Sequence, residues 1–439
     1  MPQREEIDLG PQWLFLTTLA GLGMIGPFTI DAVFPSFAQM GASFGVDTVA
    51  LQQTISIYLL SYAAMSLFHG PLSDALGRKP VMIVGLALYS MASAAAALAP
   101  SLGVLLACRV MQGVSAGAGQ IISRAIVRDV FSGQQAQRTM SQISMIFVLG
   151  PALAPVVGGW LLGWGGWHGI FWFCTIYGLV LLFLVVFFTP ETHLKYERTS
   201  FNGRELFENL WQVWKNPAGR RLAFIAGLAF GGQFLLISSA PMFVVTMLGL
   251  GANDFWVLFV PQMIGVLFGS WVSGRMAGRM DSRRLVSLGY VIGVAGGVAL
   301  VLCSLFPATA QLPWIVMPIP VFTFGISVAF PIVTLAMLDS YPQARGAASS
   351  VQSFVSLICN AIISGLLAPL LATSMPVLMT GALAFVIVAA ALWGWHYHVI
   401  RRSPADDSGS DPSAAQEPSP DDSPDDQDPF KKARWTRIG

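Results

Sequence analysis

Apolar residues run through this chain in blocks too long for ordinary soluble helices, with short polar links between them. A helix that crosses a bilayer needs roughly 20 predominantly apolar residues. Twelve blocks meet that length, near 12–36, 50–69, 81–99, 102–127, 138–163, 168–189, 221–247, 254–276, 284–306, 312–337, 346–371 and 376–399. The pattern predicts an all-α, polytopic membrane protein with twelve transmembrane helices. The longest internal link, 190–220, follows the sixth block and divides the chain six plus six. In that link Phe201, Leu206, Phe207, Leu210, Trp211 and Trp214 fall on one helical stripe, which predicts an amphipathic helix lying along the membrane surface. The expected organisation is a six-helix bundle over 1–190, a cytoplasmic linker over 191–220, a second bundle over 221–402 and a tail over 403–439.

Positive charge orients this pattern. If the N-terminus is cytoplasmic, the outside links are 37–49, 100–101, 164–167, 248–253, 307–311 and 372–375, and none of them contains Lys or Arg. Of the 24 basic residues, all but Arg109 fall in the opposite links, the tails or the adjoining helix ends. Basic residues stay on the cytoplasmic side of an inserted chain, so both termini are expected there. After Arg402 the composition changes: 403–429 holds nine Asp or Glu, no Lys or Arg, and many Pro and Ser, which predicts a disordered acidic segment. Lys431, Lys432, Arg434, Trp435 and Arg437 then close the chain, either as a solvated end or in contact with anionic lipid.

The bulk numbers agree with this class. Of 439 residues, 54% are hydrophobic and 11% charged, whereas soluble proteins carry about 25% charge. The net charge of +1, without a basic stripe interleaved with aromatics, argues against a nucleic-acid partner. Cys108, Cys174, Cys303 and Cys359 stand singly in apolar runs and read as small hydrophobes, neither disulfides nor metal ligands. No G-K-[ST] phosphate loop occurs, so ATP is not expected to drive the protein, and no cofactor is expected. A weak internal repeat links the halves, because Asp129 and Gln142 recur as Asp339 and Gln352, both shifted by 210.

Three segments carry candidate chemistry. The link 70–81 reads G-P-L-S-D-A-L-G-R-K-P-V. Pro71, Gly77 and Pro80 there are expected to break the helices, and Asp74, Arg78 and Lys79 cannot sit in lipid. Asp31 and Arg109 are the ionisable residues well inside a block, in T-I-D-A-V-F-P and C-R-V-M-Q-G. A charge at such depth costs several kcal/mol and needs a partner or a wet cavity. By helix rise the two lie at similar depth and could pair. Asp31 could instead reach interfacial water, and Arg109 could clamp neighbouring carbonyls. The third segment, L-G-P-A-L-A-P-V-V-G-G-W, places Gly150, Pro151, Pro155, Gly158 and Gly159 where small residues permit close helix packing and prolines bend the backbone. Tyr58, Gln112, Gln120, Gln233, Phe234 and Asn360 are candidate walls of a substrate cavity, or else interhelical contacts.

The 70–81 pattern, G-x-L-S-D-x-x-G-R-[RK]-P after a second membrane helix, resembles the signature loop of the major facilitator superfamily. The Asp31 and Arg109 segments resemble those of its twelve-helix drug:proton antiporters, in particular the bicyclomycin/chloramphenicol-resistance branch. The G-P-x-x-x-P-x-x-G-G spacing resembles that family's antiporter motif. The resemblance covers roughly 12–400. It implies two six-helix bundles around a central cavity and export of small amphiphilic drugs in exchange for protons, by a chain expected to be monomeric in a bacterial inner membrane. It further implies proton coupling at Asp31, tuned by Arg109, and gating by Gly70, Asp74, Gly77, Arg78 and Lys79. Some relatives carry a second acid one or two turns before Asp31. Gly23 and Met24 occupy that region here, which argues against two-proton exchange and against high affinity for permanent dications. A proton symporter for a sugar or metabolite, and a membrane sensor using the acidic tail as partner site, are the alternatives.

Overall fold

The computed structural model describes residues 11–131, 133–193, 196, 198, 202–276, 279–341 and 344–402, so the predicted tail over 403–439 lies outside the described residues. Residues up to Tyr397 belong to one compact unit, which is the part considered below. Among the described residues the regular elements are helical: α1 (Gln12–Asp31), α2 (Phe37–Phe44), α3 (Thr48–Leu76), α4 (Arg78–Ala97), α5 (Leu102–Val130), α6 (Gly133–Phe188), α7 (Gly203–Lys215), α8 (Pro217–Ser238), α9 (Trp256–Met276), α10 (Ser282–Leu305), α11 (Ile319–Asp339), α12 (Arg345–Ile362), α13 (Ala368–Leu371) and α14 (Met375–Arg402). Side chains close several of the helix starts. Asp47 accepts from the Ala50 amide at 2.8 Å and Asn216 from the Ala218 amide at 2.9 Å, satisfying donors that have no partner inside a helix.

Eleven described stretches are long and apolar enough to cross a membrane. The predicted runs 138–163 and 168–189 both fall in α6, whose 56 residues would reach roughly 84 Å if straight, far more than one bilayer. The backbone breaks at Gly166, where φ 60 and ψ −164 suit only glycine, and the two crossings separate there. The eleven stretches and the twelve predicted runs are thus the same helices counted differently. The predicted amphipathic helix is α7, which stacks Phe207 on Trp211 at 6.0 Å and leaves both exposed.

The signature segment departs from expectation. Pro71 does not break its helix; α3 continues through it to Leu76, and α4 begins at Arg78. Gly77 alone interrupts the backbone, with φ 103 and ψ 154. Pro71 already has the φ that a helix requires and forfeits a single hydrogen bond. Pro80 falls in the first turn of α4, where amides lack helical acceptors in any case. The region is therefore a sharp joint between two long helices rather than a twelve-residue loop.

Two packed sets emerge from the contacts. In one, α3 lies on α5, α4 on α5 and α6, and α1 on α6; in the other, α11 packs between α9 and α10, and α12 packs on α8. The sets meet where α3 runs along α12 and α6 touches α9. At the Thr48 end of α3, Gln53 Nε2 donates to the Gly365 carbonyl at 2.8 Å, Ser56 Oγ to the Ala361 carbonyl at 2.8 Å, and Gln52 Nε2 to the Ser238 carbonyl at 3.4 Å. Gly365 lies in a widened π turn, Ile363–Leu367, and a Cβ there would stand 2.5 Å from Ser56 Oγ. The close seam between α3 and α12 thus depends on a missing side chain. Gly365→Leu should lengthen the distance between spin labels at positions 49 and 373 by several ångströms, measured by pulsed electron resonance. An unchanged distance distribution would contradict this packing.

Candidate functional site

Arg109 lies on α5, fully buried among α1, α3 and α4. Its Nη1 donates to the Thr29 carbonyl at 2.9 Å and to Gln112 Oε1 at 3.1 Å, and its Nε to the Thr54 carbonyl at 3.0 Å. The ring of Tyr58 lies 4.9 Å from the guanidinium carbon, a cation–π contact strengthened by low dielectric. Gln112 Nε2 passes the network to Ser93 Oγ on α4 at 2.8 Å, and Thr29 and Tyr89 share a 2.6 Å hydrogen bond. The Thr29 carbonyl belongs to the last turn of α1, where carbonyls run out of helical partners and the helix dipole is negative. A cation is favoured there. Gly113, one residue beyond Gln112, lets α5 approach so closely that a Cβ would collide with Ser61 Oγ and the Tyr58 carbonyl. The R-x-x-Q-G spacing therefore delivers both the charge and the clearance that the charge needs.

Asp31 ends α1, two residues beyond Thr29, and is 5% exposed. The predicted pairing of Asp31 with Arg109 is not made in this conformation. Nε and Nη1 of the guanidinium are taken up by backbone carbonyls, which is the clamp arrangement, while Nη2 has no hydrogen-bond partner and Asp31 makes no hydrogen bond or ion pair among the described residues. The predicted run 12–36 lies within one apolar stretch, Trp13–Phe44, long enough to cross a membrane, but α1 itself stops at Asp31 and 34–36 form a single tight turn. The residues flanking Asp31, Pro27 and Ala32, pack on the glycine motif of α6. Gly150 faces Pro27, so that a Cβ would lie 2.8 Å from its ring, and Gly158 abuts the Ala32 carbonyl with no room for any side chain. Gly159 faces the Ala252 carbonyl of the other helix set, at 2.9 Å from a would-be Cβ. Pro155, between these contacts, is buried, and Pro151 is half-buried.

The joint at Gly77 forms a second charged cluster. Arg78 pairs with Asp74 at 2.5 Å and with Asp129 at 2.9 Å, and donates to Ser73 Oγ at 2.6 Å. The backbone amides of Arg78 and Lys79 donate to the Glu191 carboxylate at 2.9 and 3.3 Å, so Glu191 caps α4. Glu191 went unnoticed in the sequence. Its signal was an acid directly after the sixth apolar run, on the same side as the free N-terminus of α4. Gly70 is a helical residue of α3 with open space around its Cα.

The cavity candidates separate. Tyr58 and Gln112 are wholly buried in the Arg109 network, and Gln120 accepts from the Tyr62 hydroxyl. Gln233 and Phe234 on α8 and Asn360 on α12 are buried in the other set. There the Gln233 Oε1 and Asn360 Oδ1 have no hydrogen-bond partner among the described residues, and both amide atoms of Gln262 on α9 share that condition.

The family model of the Major Facilitator Superfamily matches residues 18–364. The chain belongs to the Major Facilitator Superfamily. It is therefore a membrane transporter and not an enzyme. It is 28% identical over 387 residues to the bicyclomycin resistance protein homolog of Haemophilus influenzae, covering 87% of this chain and 96% of that one. Multidrug resistance protein D of Escherichia coli is 28% identical over 371 residues, covering 83% and 92%. Among solved structures, a bacterial homolog of the human lysosomal transporter Spinster, inward-facing and unoccupied, aligns with TM-score 0.66 at 18% identity, over 89% of this chain and 98% of that chain. The D-xylose-proton symporter aligns with TM-score 0.69 at 12% identity, over 87% and 97%. These two structures establish the fold alone.

A hydrogen bond to a charged group contributes about 1.5–3 kcal/mol, and Arg109 makes several in a dry setting. Arg109→Gln should thus lower the thermal midpoint of the purified protein by several degrees. Arg109→Lys should recover only part of it, because one ammonium cannot span the Thr29 and Thr54 carbonyls. A midpoint unaffected by either substitution would exclude the clamp. At the joint, Asp74→Asn should lower transport with near-normal expression, since Asp129 still holds Arg78 and the fold remains; wild-type rates would reduce the segment to a topology signal.

Proposed function

We propose that the chain exports small amphiphilic drugs from the cytoplasm in exchange for protons, with Asp31 as the proton site. The observation that supports this most is the placement of Asp31: a buried acid without a partner among the described residues, at the end of a helix packed glycine-tight against the antiporter-like motif. The similarity to proteins named for bicyclomycin and multidrug resistance supports the substrate class.

In this reading 1–190 and 221–402 act as two bundles around a central cavity, joined by 191–220, and Gly77 lies on the cytoplasmic side as the positive charges indicate. The seam of Gln52, Gln53 and Ser56 then closes the outer side, and the conformation faces inward. Rocking the bundles breaks that seam and moves α6, because Gly159 touches the second set. Motion of α6 reaches Asp31 through the Gly158–Ala32 contact. A carboxyl moved between dry and wet surroundings gains or loses a proton, and this links the gradient to the rocking. Arg109, fixed to the carbonyls of Thr29 and Thr54, supplies a stationary positive field beside it. The amide oxygens of Gln233 and Asn360 and both amide atoms of Gln262, unpartnered among the described residues, are available for polar groups of a drug, beside Phe230 and Phe330, whose rings lie 6.2 Å apart. A neutral drug exchanged for one proton makes the cycle electrogenic, and the chain works as a monomer in the inner membrane.

Asp31→Asn, reconstituted in vesicles with an imposed proton gradient, should bind drug without pH dependence and lose uphill movement. Gradient-driven accumulation at the wild-type level would refute Asp31 as the coupling site, and accumulation in the opposite direction by wild-type protein would favour a symporter. Gly158→Leu should abolish or uncouple transport in the same vesicles. A normally coupled Gly158→Leu protein would refute transmission through Ala32.

A further inference from the structure

Away from the central helices, a groove of about 490 Å³ opens between the α7–α8 junction and the end of α14. Its rim is cationic. Arg220 is exposed, and Arg221 is held half-buried with its guanidinium 5.4 Å from the Trp395 ring and its Nε donating to His396 at 3.4 Å. Neither arginine makes an ion pair among the described residues, and no acid lines the groove. Its floor is apolar and is made by Phe224, Leu228 and Leu392. Trp214, at the end of the amphipathic α7, lies 6.2 Å from Phe224 and closes one side.

We propose that this groove binds an anionic phospholipid, with the headgroup phosphate on Arg220 and Arg221 and an acyl chain along the floor. Three features select that occupant. Pro217 starts a membrane-crossing helix, so the arginines stand at headgroup level and Trp395 takes the aromatic position usual at that boundary. From Arg221 to Leu228 the helix descends about 10 Å toward the hydrocarbon, along the path of a chain attached to that headgroup. Guanidinium groups grip phosphate through paired hydrogen bonds, and two that make no ion pair among the described residues attract, at a water–lipid boundary, a negative headgroup over a neutral one. A free phosphate would use the rim and leave the floor without an occupant. Such a lipid would tie α7, and with it the connection between the helix sets, to α8 and α14. This site shares no residue with the proposed drug and proton pathway.

The test uses the full chain in neutral detergent and follows its thermal midpoint by tryptophan fluorescence while phosphatidylglycerol, phosphatidylcholine or inorganic phosphate is added. Phosphatidylglycerol should raise the midpoint saturably, and the other two should not. Arg220→Gln/Arg221→Gln should weaken the apparent affinity for phosphatidylglycerol by about tenfold. Leu228→Trp, which fills the floor while keeping both arginines, should remove the response. Where the double variant does not fold, Arg220→Gln alone, at an exposed position, gives the same reading with a smaller shift. An equal response to phosphatidylcholine, a full response to inorganic phosphate, or unchanged phosphatidylglycerol affinity in the arginine and Leu228 variants would each overturn the proposal.

Discussion

A guanidinium buried in a lipid-embedded protein must find acceptors or be expelled, and Arg109 finds them in the main chain. Its contacts with the carbonyls of Thr29 and Thr54 fix α1, α3 and α5 to one another, and Gln112 extends the tie to Ser93 on α4. Everything else in that helix set follows from this geometry. Gly113 must be small so that α5 can deliver the charge, and α1 must end near Thr29 so that a carbonyl is free to receive it. Because α1 ends there, Asp31 lies at a helix terminus instead of within a continuous helix.

Asp31 and Arg109 thus play unequal parts. The cation is held by rigid neighbours through Nε and Nη1, with Nη2 left without a hydrogen-bond partner among the described residues. The acid makes no hydrogen bond or ion pair among those residues and is free to respond to its surroundings. A pair locked in a salt bridge would have neutralised both charges and left nothing to titrate. The glycines of α6 supply the remaining link, since they let backbones of α1 and of the second helix set touch α6 directly. Direct backbone contact transmits a shift of a fraction of an ångström that flexible side chains would absorb.

Much of this was legible in the sequence because lipid imposes simple rules. Apolar length gave the crossings, and the rarity of embedded charge singled out Asp31 and Arg109. Pro71 was misjudged because proline's effect depends on whether its φ suits the helix, which composition does not reveal. The partners of Arg109 were unreadable in detail, for carbonyl oxygens carry no residue identity, and the open choice between a carboxylate and a clamp was decided by where α1 ends. Glu191 was missed because a cap formed across more than a hundred residues leaves no local pattern. The seam at Gly365 was hidden for a related reason: the wide turn that presents its carbonyl has no sequence signature.

The claim on which the account rests is that drug binding and protonation compete through Asp31. It is tested most directly by adding drug to the purified protein in a weakly buffered solution and counting released protons with a pH indicator. Wild-type protein should release up to about one proton per bound drug at a pH where the free site is protonated, and about half that at the midpoint of its titration. Asp31→Asn should bind drug and release none. Equal proton release from Asp31→Asn would contradict the account and place the coupling group elsewhere in the molecule.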